Sequence, residues 1–154
     1  MILPTNVSDI CAAVKQMLLE HPNIGNLNVA VERAAEPPEI PGIEGWVGVY
    51  KGTIQYPSRT LGMGAGFRQQ RVKLALHVLM SNYESGEECE VALEGLLQNC
   101  VSCLLSDTSL RGTVEVLDTD FEVQYPDFIR GDNVWIQSAS IFFIGLVNVS
   151  WSED

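Results

Sequence analysis

The sequence predicts an α+β protein: a mostly antiparallel or mixed twisted sheet of four to five strands, two helices packed on one face, and a long extended hairpin loop. Three observations predict it. Residues 71–80 alternate strictly, with Val72, Leu74, Leu76, Val78 and Met80 on one side and Arg71, Lys73, Ala75 and His77 on the other, which is the period of a strand with one buried face. Two stretches, 6–20 and 85–105, repeat their apolar residues every three and four positions, as helices with one buried stripe do. The order is helix, strand, long hairpin, helix, two strands, so strands and helices do not alternate regularly and a parallel, doubly wound sheet is disfavoured. A chain of 154 residues is expected to form a single domain, 1–154, long enough to bury a core.

Taken in order, the first helix carries Ile10, Ala13, Val14, Met17 and Leu18 on its stripe. Asn6 or Ser8 can cap its start, and His21-Pro22 ends it, because the residue before proline is pushed out of the helical region. Leu27, Val29 and Val31 alternate with Asn28, Ala30 and Glu32 as a short strand. Residues 36–42, with three prolines, are a stiff connection unable to join a sheet ladder. In the strand 46–56, Val47, Val49, Lys51 and Thr53 share a face and Trp46, Tyr50 and Ile54 the other, while Gly48 and Gly52 permit a bend or bulge. The loop 57–70 holds Gly62, Gly64 and Gly66, and loops of this length are usually functional or disordered.

The second helix opens on Ser85 with Glu88 three residues later, the pattern of a capping box. Its stripe is Cys89, Ala92, Leu93, Leu96, Cys100 and Leu104, widened by Leu97, Val101 and Leu105. Gly95 in its interior costs about 1 kcal/mol against alanine; a closely packed strand or a neighbouring chain would account for it, and so would chance. Residues 106–112 are an exit turn. Residues 113–117 and 121–125 read as a strand interrupted near Asp118 and Asp120, and the last strand runs from 134 to about 149. That strand is so rich in β-branched and aromatic residues that it calls for burial on both faces over part of its length. A single small domain has helices for one face only, so a neighbouring subunit is the expected cover for the other.

Charge is segregated. Residues 45–80 hold Lys51, Arg59, Arg68, Arg71 and Lys73 and no acid, whereas the remainder holds 4 basic and 20 acidic residues, a net −16 within a whole chain of −11. A positive protrusion on an acidic body has the form of a docking element; a hairpin whose charges only solvate it is the plainer alternative. A sequence pI near 4.4 argues against wrapping a duplex. No apolar run approaches the roughly 20 residues of a membrane span, and the first residues lack the basic start and apolar stretch of a secretory signal. A reducing compartment is therefore expected, with Cys11, Cys89, Cys100 and Cys103 as thiols.

Catalytic and ligand patterns are weak. Cys100 and Cys103 have the spacing of a redox or zinc pair, but on a helix they fall on or beside the apolar stripe and no second pair completes a site. His77 could act as a base, yet no nucleophile sits in a recognisable elbow. The alternate glycines 62, 64 and 66 lack the lysine and hydroxyl of a phosphate loop. Asp118, Asp120, Asp127 and Asp132 fit no calcium-loop spacing. No cofactor and no metal is expected.

The layout, together with three local patterns, resembles the tail terminator and minor tail proteins of long-tailed bacteriophages. The patterns are a short N-terminal helix leading into a proline-rich connection, 9–41; a long strand pair with an extended charged loop, 46–80; and a second helix ending in Leu104-Leu105-Ser106-Asp107, followed by Leu110-Arg111-Gly112, a strand, and a closing strand such as 135–147. The resemblance covers nearly the whole chain. It implies a structural virion protein and not an enzyme: a homo-oligomeric ring, typically a hexamer, on the head-proximal end of the tail tube. Such a ring stops tube polymerisation and offers a surface to the head-completion protein, with genomic DNA passing through its lumen without specific binding and no membrane partner. By that likeness, tube docking falls to Lys51, Arg59, Arg68, Arg71 and Lys73. The bottom-up candidates for the subunit interface are Trp135, Phe143 and Val147. A head–tail connector or the sheath-side terminator of a contractile tail is the nearest alternative. A small enzyme using His77 and a cysteine, or a nucleic-acid binder using Arg59, Arg68 and Arg71, are alternatives of another class.

Overall fold

The computed structural model of the protein describes residues 6–24, 29–33, 45–55, 65–126, 129–131 and 134–152. Two helices and six strands follow in the order α1 (Val7–Glu20), β1 (Val29–Arg33), β2 (Gly45–Gln55), β3 (Ala65–Asn82), α2 (Gly86–Ser106), β4 (Val116–Gln124), β5 (Ile129–Gly131) and β6 (Val134–Ser152). The fold is α+β. The strands form one open sheet in the order β1-β2-β3-β6-β4, with β5 added on β6. Pairing is antiparallel except between β1 and β2, which run parallel. The proline-rich connection 36–42 and all of the loop 57–70 before Ala65 lie outside the described residues.

Both helices begin as their sequences dictate. Asn6 caps α1, its side-chain oxygen accepting from the Asp9 amide at 3.3 Å, and His21 leaves the helical region at ψ 126°. Ser85 caps α2, accepting from the Glu88 amide at 3.0 Å. The return half of the expected capping box is made by a different residue. The Ser85 amide donates to Asn82 Oδ1 at 3.0 Å, so the end of β3 supplies the acceptor and Glu88 stays exposed. Among the described residues Gly95 has no neighbour within 4 Å of where a Cβ would stand, so close packing against them does not explain it.

The side chains that α1 and α2 bury join one cluster with Val47, Val49, Val72, Leu74, Leu76, Val78, Ile141 and Phe143, so both helices pack on the same face of the sheet. The alternation of β3 is obeyed along its core stretch. Two bulges reshape the strands beside it. Between Lys51 and Ile54 the pairing of β2 with β3 slips by one residue, placing Ile54 opposite Val72 and against the main core. The expectation that Ile54 shares a face with Trp46 and Tyr50 is thereby corrected, since one inserted residue reverses the alternation. A Cβ on Gly52, inside that bulge, would stand 2.7 Å from the Lys73 carbonyl oxygen. The second bulge, between Asp118 and Glu122 in β4, is the interruption the two aspartates suggest, bridged within a single strand.

The exit turn after α2 contains three consecutive residues in the left-handed region, Leu110, Arg111 and Gly112, at φ 47°, 59° and 80°. Asp107 holds it. Its carboxylate accepts from the amides of Ser109 and Arg111, each at 3.0 Å, and from the Ser109 hydroxyl at 2.6 Å. These donors hold the Asp107 carboxyl below its usual range, the Ser109 bonds first. Burial of Leu110 in the core and pairing of Arg111 with Glu20 fix the strained backbone from both sides.

Candidate functional site

Of the sequence-predicted residues, Arg71, Lys73 and His77 lie on the face of the sheet turned away from the helices. Its two ends differ. At one end Trp46, Leu79 and Ile136 are covered, at 3%, 6% and 6% exposure. Trp46 lies along its strand above Gly48, where a Cβ would stand 2.3 Å from the indole. Its Nε1 donates to Glu32 at 2.8 Å, and its ring meets Tyr50 and the edge of His77 at centroid distances of 6.4 and 6.3 Å. His77 sits between Gly48 on β2 and Ser140 on β6, and its Nδ1 shares a 2.9 Å hydrogen bond with the Ser140 hydroxyl. Burial lowers the His77 pKa. Burial raises that of Tyr50, with Glu32 adding to it.

At the other end Ala75, Phe142, Ile144 and Leu146 are only half-buried. No described helix lies over them. The basic residues of β3 stand among them. Lys73 places its Nζ 5.0 Å from the centre of the Phe142 ring, a cation–π contact. Arg71 reaches Asp118 on β4 at 3.7 Å.

The five predicted docking residues therefore do not form one patch. Arg71 and Lys73 share the second face. Lys51 is opposite Leu74, on the helix side, and is exposed; with Arg33 it acts on the Cys11 thiol, though burial outweighs both and raises that pKa. Arg68 lies in β3 opposite Val149, with its side chain outside what the structure describes, and Arg59 lies outside the described residues. Of the interface candidates, Phe143 is corrected. It is fully buried in its own chain, edge-on to Phe121 at 6.4 Å, and offers nothing to a neighbour. Its alternation places it with Leu74, not with Phe142. Trp135 and Val147 are partly buried and pack against the same core.

The sequence did not single out Phe142, Ile144, Leu146 or Asp118 for this face. The signal was present in β6, whose residues on both parities are large and apolar, but choosing the exposed parity requires knowing which one the helices cover.

The four cysteines are free thiols and all are buried. Burial pushes Cys100 up to about 12 and Cys103 up to about 11, so neither is a ready thiolate near neutral pH. Among the described residues no three His, Cys, Asp or Glu side chains converge as a metal site, and no helix is long and apolar enough to cross a membrane. Asp127 and Asp132 lie outside the described residues. Comparison of the chain with models of protein families finds no match, and comparison with curated proteins finds none either.

Proposed function

We propose that this chain is a structural, non-enzymatic subunit of a phage tail. In this reading, identical copies close into a ring, the partners are the tube protein and the head-completion protein, and the ring caps the head-proximal end of the tube within the virion. One observation carries it. β3 and β6 pair without interruption from Ala65 opposite Ser152 to Asn82 opposite Trp135. Eighteen residues of strand span about 60 Å at about 3.3 Å each. The 21 residues of α2 cover about 32 Å and the 14 of α1 about 21 Å at about 1.5 Å each. The strand pair thus outruns its helices. A lone subunit has little use for a ribbon longer than its own core can cover, whereas an assembling one can place it on a partner.

The half-buried patch of Phe142, Ile144 and Leu146 at the foot of that extension supports the same reading, because a covering partner would remove it from water. A head-to-tail contact that closes by rotation gives a ring.

The test is capping. Native mass and negative-stain images of the purified chain should show a ring or a concentration-dependent equilibrium between monomer and ring. Added to polymerising tubes, it should set their length, and Arg59→Glu with Arg68→Glu should abolish capping while leaving the melting curve unchanged. Tubes of normal length capped by the double variant would remove the docking role of the ribbon. A monomer at every concentration would remove the ring.

A further inference from the structure

A groove runs between α2 and the end of β4, away from the second sheet face. Its larger part, about 670 Å³, is walled by Leu97, Val101 and Leu105 of α2 and by Val123 and Tyr125. Its smaller part, about 240 Å³, continues past Glu90 and Pro126 to β6. Glu94 and Tyr125 belong to both parts and join across the groove, the tyrosine hydroxyl donating to the carboxylate at 2.8 Å. Leu105 and Tyr125 are 45% and 56% exposed. Among the described residues, the charged ones lining either part are Glu90 and Glu94.

Beside the groove lies a sheet edge. Among the described residues β4 pairs only with β6. The start of its outer edge is occupied, since the Leu117 amide donates to the Thr108 carbonyl at 2.7 Å. Its middle is broken by the bulge between Asp118 and Glu122, and bulges and charges are how edges are made unfit for pairing. From Glu122 onward the pairing with β6 is regular again; the stretch 121–124 carries a single charge, Glu122, and it is the stretch that borders the groove. Backbone pairing capacity and an apolar trough therefore run side by side, the two requirements for capturing an extended peptide as an added strand. From Glu94 to Leu105 α2 rises about 17 Å, the length of about five extended residues.

We propose that this groove binds an extended basic segment of a separate partner protein, which adds as a strand along residues 121–124 and drops alternate apolar side chains between α2 and β4. Charge selects the occupant: Glu90 and Glu94 line the trough, and Glu122 is exposed on the strand itself. A separate protein is favoured because four of this chain's cations are engaged elsewhere among the described residues. Arg71 pairs with Asp118, Lys73 sits over Phe142, Arg111 pairs with Glu20, and Arg33 donates to the Ser8 carbonyl. The proposal does not depend on the tail reading and stands if that reading fails.

The probe is a labelled, end-capped peptide of eight residues alternating valine with lysine, followed by fluorescence anisotropy on the full chain. Saturable binding is expected below about 1 mM. Leu105→Lys should weaken it by about tenfold or more, as should exchanging each lysine of the peptide for glutamate or methylating its backbone nitrogens. If Leu105→Lys lowers the melting temperature, Ser102→Arg, at an exposed position on the same wall, gives the same readout. No saturation, equal binding of the acidic peptide, or indifference to both variants would overturn the proposal. A change of native mass in Leu105→Lys would also overturn it, because the groove would then hold a second copy.

Discussion

On the helix side of β3, Val72, Leu74, Leu76 and Val78 follow one another with no exposed surface. On the other side of the same strand, Arg71, Lys73, Ala75 and His77 run from exposed to half-buried. One backbone and one register serve both. Across β6 the same division separates Phe143, fully buried, from Phe142, half-buried beneath a lysine. Adjacent, chemically identical side chains thus take opposite parts. Most of the buried core lies on one face, and the half-open end of the other is left with aromatic, aliphatic and cationic groups whose removal is expected to cost the fold little.

The largest expected effect tests that division directly. Phe143→Ala should destabilise the chain by about 3–5 kcal/mol, the usual cost of emptying a core aromatic site. Phe142→Ala should cost about 1 kcal/mol, from partial burial and the lost cation–π contact. Urea unfolding of both variants measures the difference. Equal losses would mean that the second face is as much core as the first, and no partner would be needed to complete it.

The same pair shows how far the sequence could be read. The strict alternation of 71–80, both helices with their caps at Asn6 and Ser85, and the β4 interruption were legible, because each rests on contacts between near neighbours in the chain. The face occupied by Ile54 was not, because a bulge at Gly52 is an inserted residue that only pairing with β3 reveals. Nor was the burial of Phe143. In β6 both parities are apolar, so periodicity carries no sign, and α2 decides which side is covered. The parallel pairing of β1 with β2 was not legible either, because alternation within a strand does not report the direction of its partner. The basic residues read as one cluster in the sequence. Lys51 and Arg71 nevertheless take opposite faces, because strand parity separates what linear charge counting joins.

His77 gives a smaller, pH-dependent effect at the covered end of the second face. Burial favours its neutral form, so its folded pKa lies below the value of about 6.5 expected when unfolded. Below about 6.5 the unfolded chain binds the proton more readily than the folded one. The stability that the neutral imidazole contributes is therefore complete above about 6.5 and is lost as pH falls toward and through the lowered folded value. His77→Gln, which keeps a partner for Ser140, should flatten this part of the stability profile. Glu32 and Tyr50 are the other ionisable groups of that row. Glu32→Gln in the same background separates their share, and a profile unchanged by His77→Gln would assign the slope elsewhere.

The smallest effect decides whether the charges at the half-open end are available to a partner. Arg71 and Asp118 are 3.7 Å apart with side chains 45% and 26% exposed. Water screens such a pair, and two ordered side chains cost entropy, so its coupling should be below about 0.5 kcal/mol. A double-mutant cycle of Arg71→Gln and Asp118→Asn, followed by urea unfolding, reads that coupling free of the single-site losses. It should fade further in about 0.5 M salt, where the screening length falls to about 4 Å. A coupling above about 1.5 kcal/mol would mean that Asp118 pins the guanidinium in place and that the charge belongs to the fold. Near-zero coupling leaves Arg71 held so loosely that a partner's carboxylate could replace Asp118 at almost no cost to the subunit, which is the property a docking residue on the second face requires.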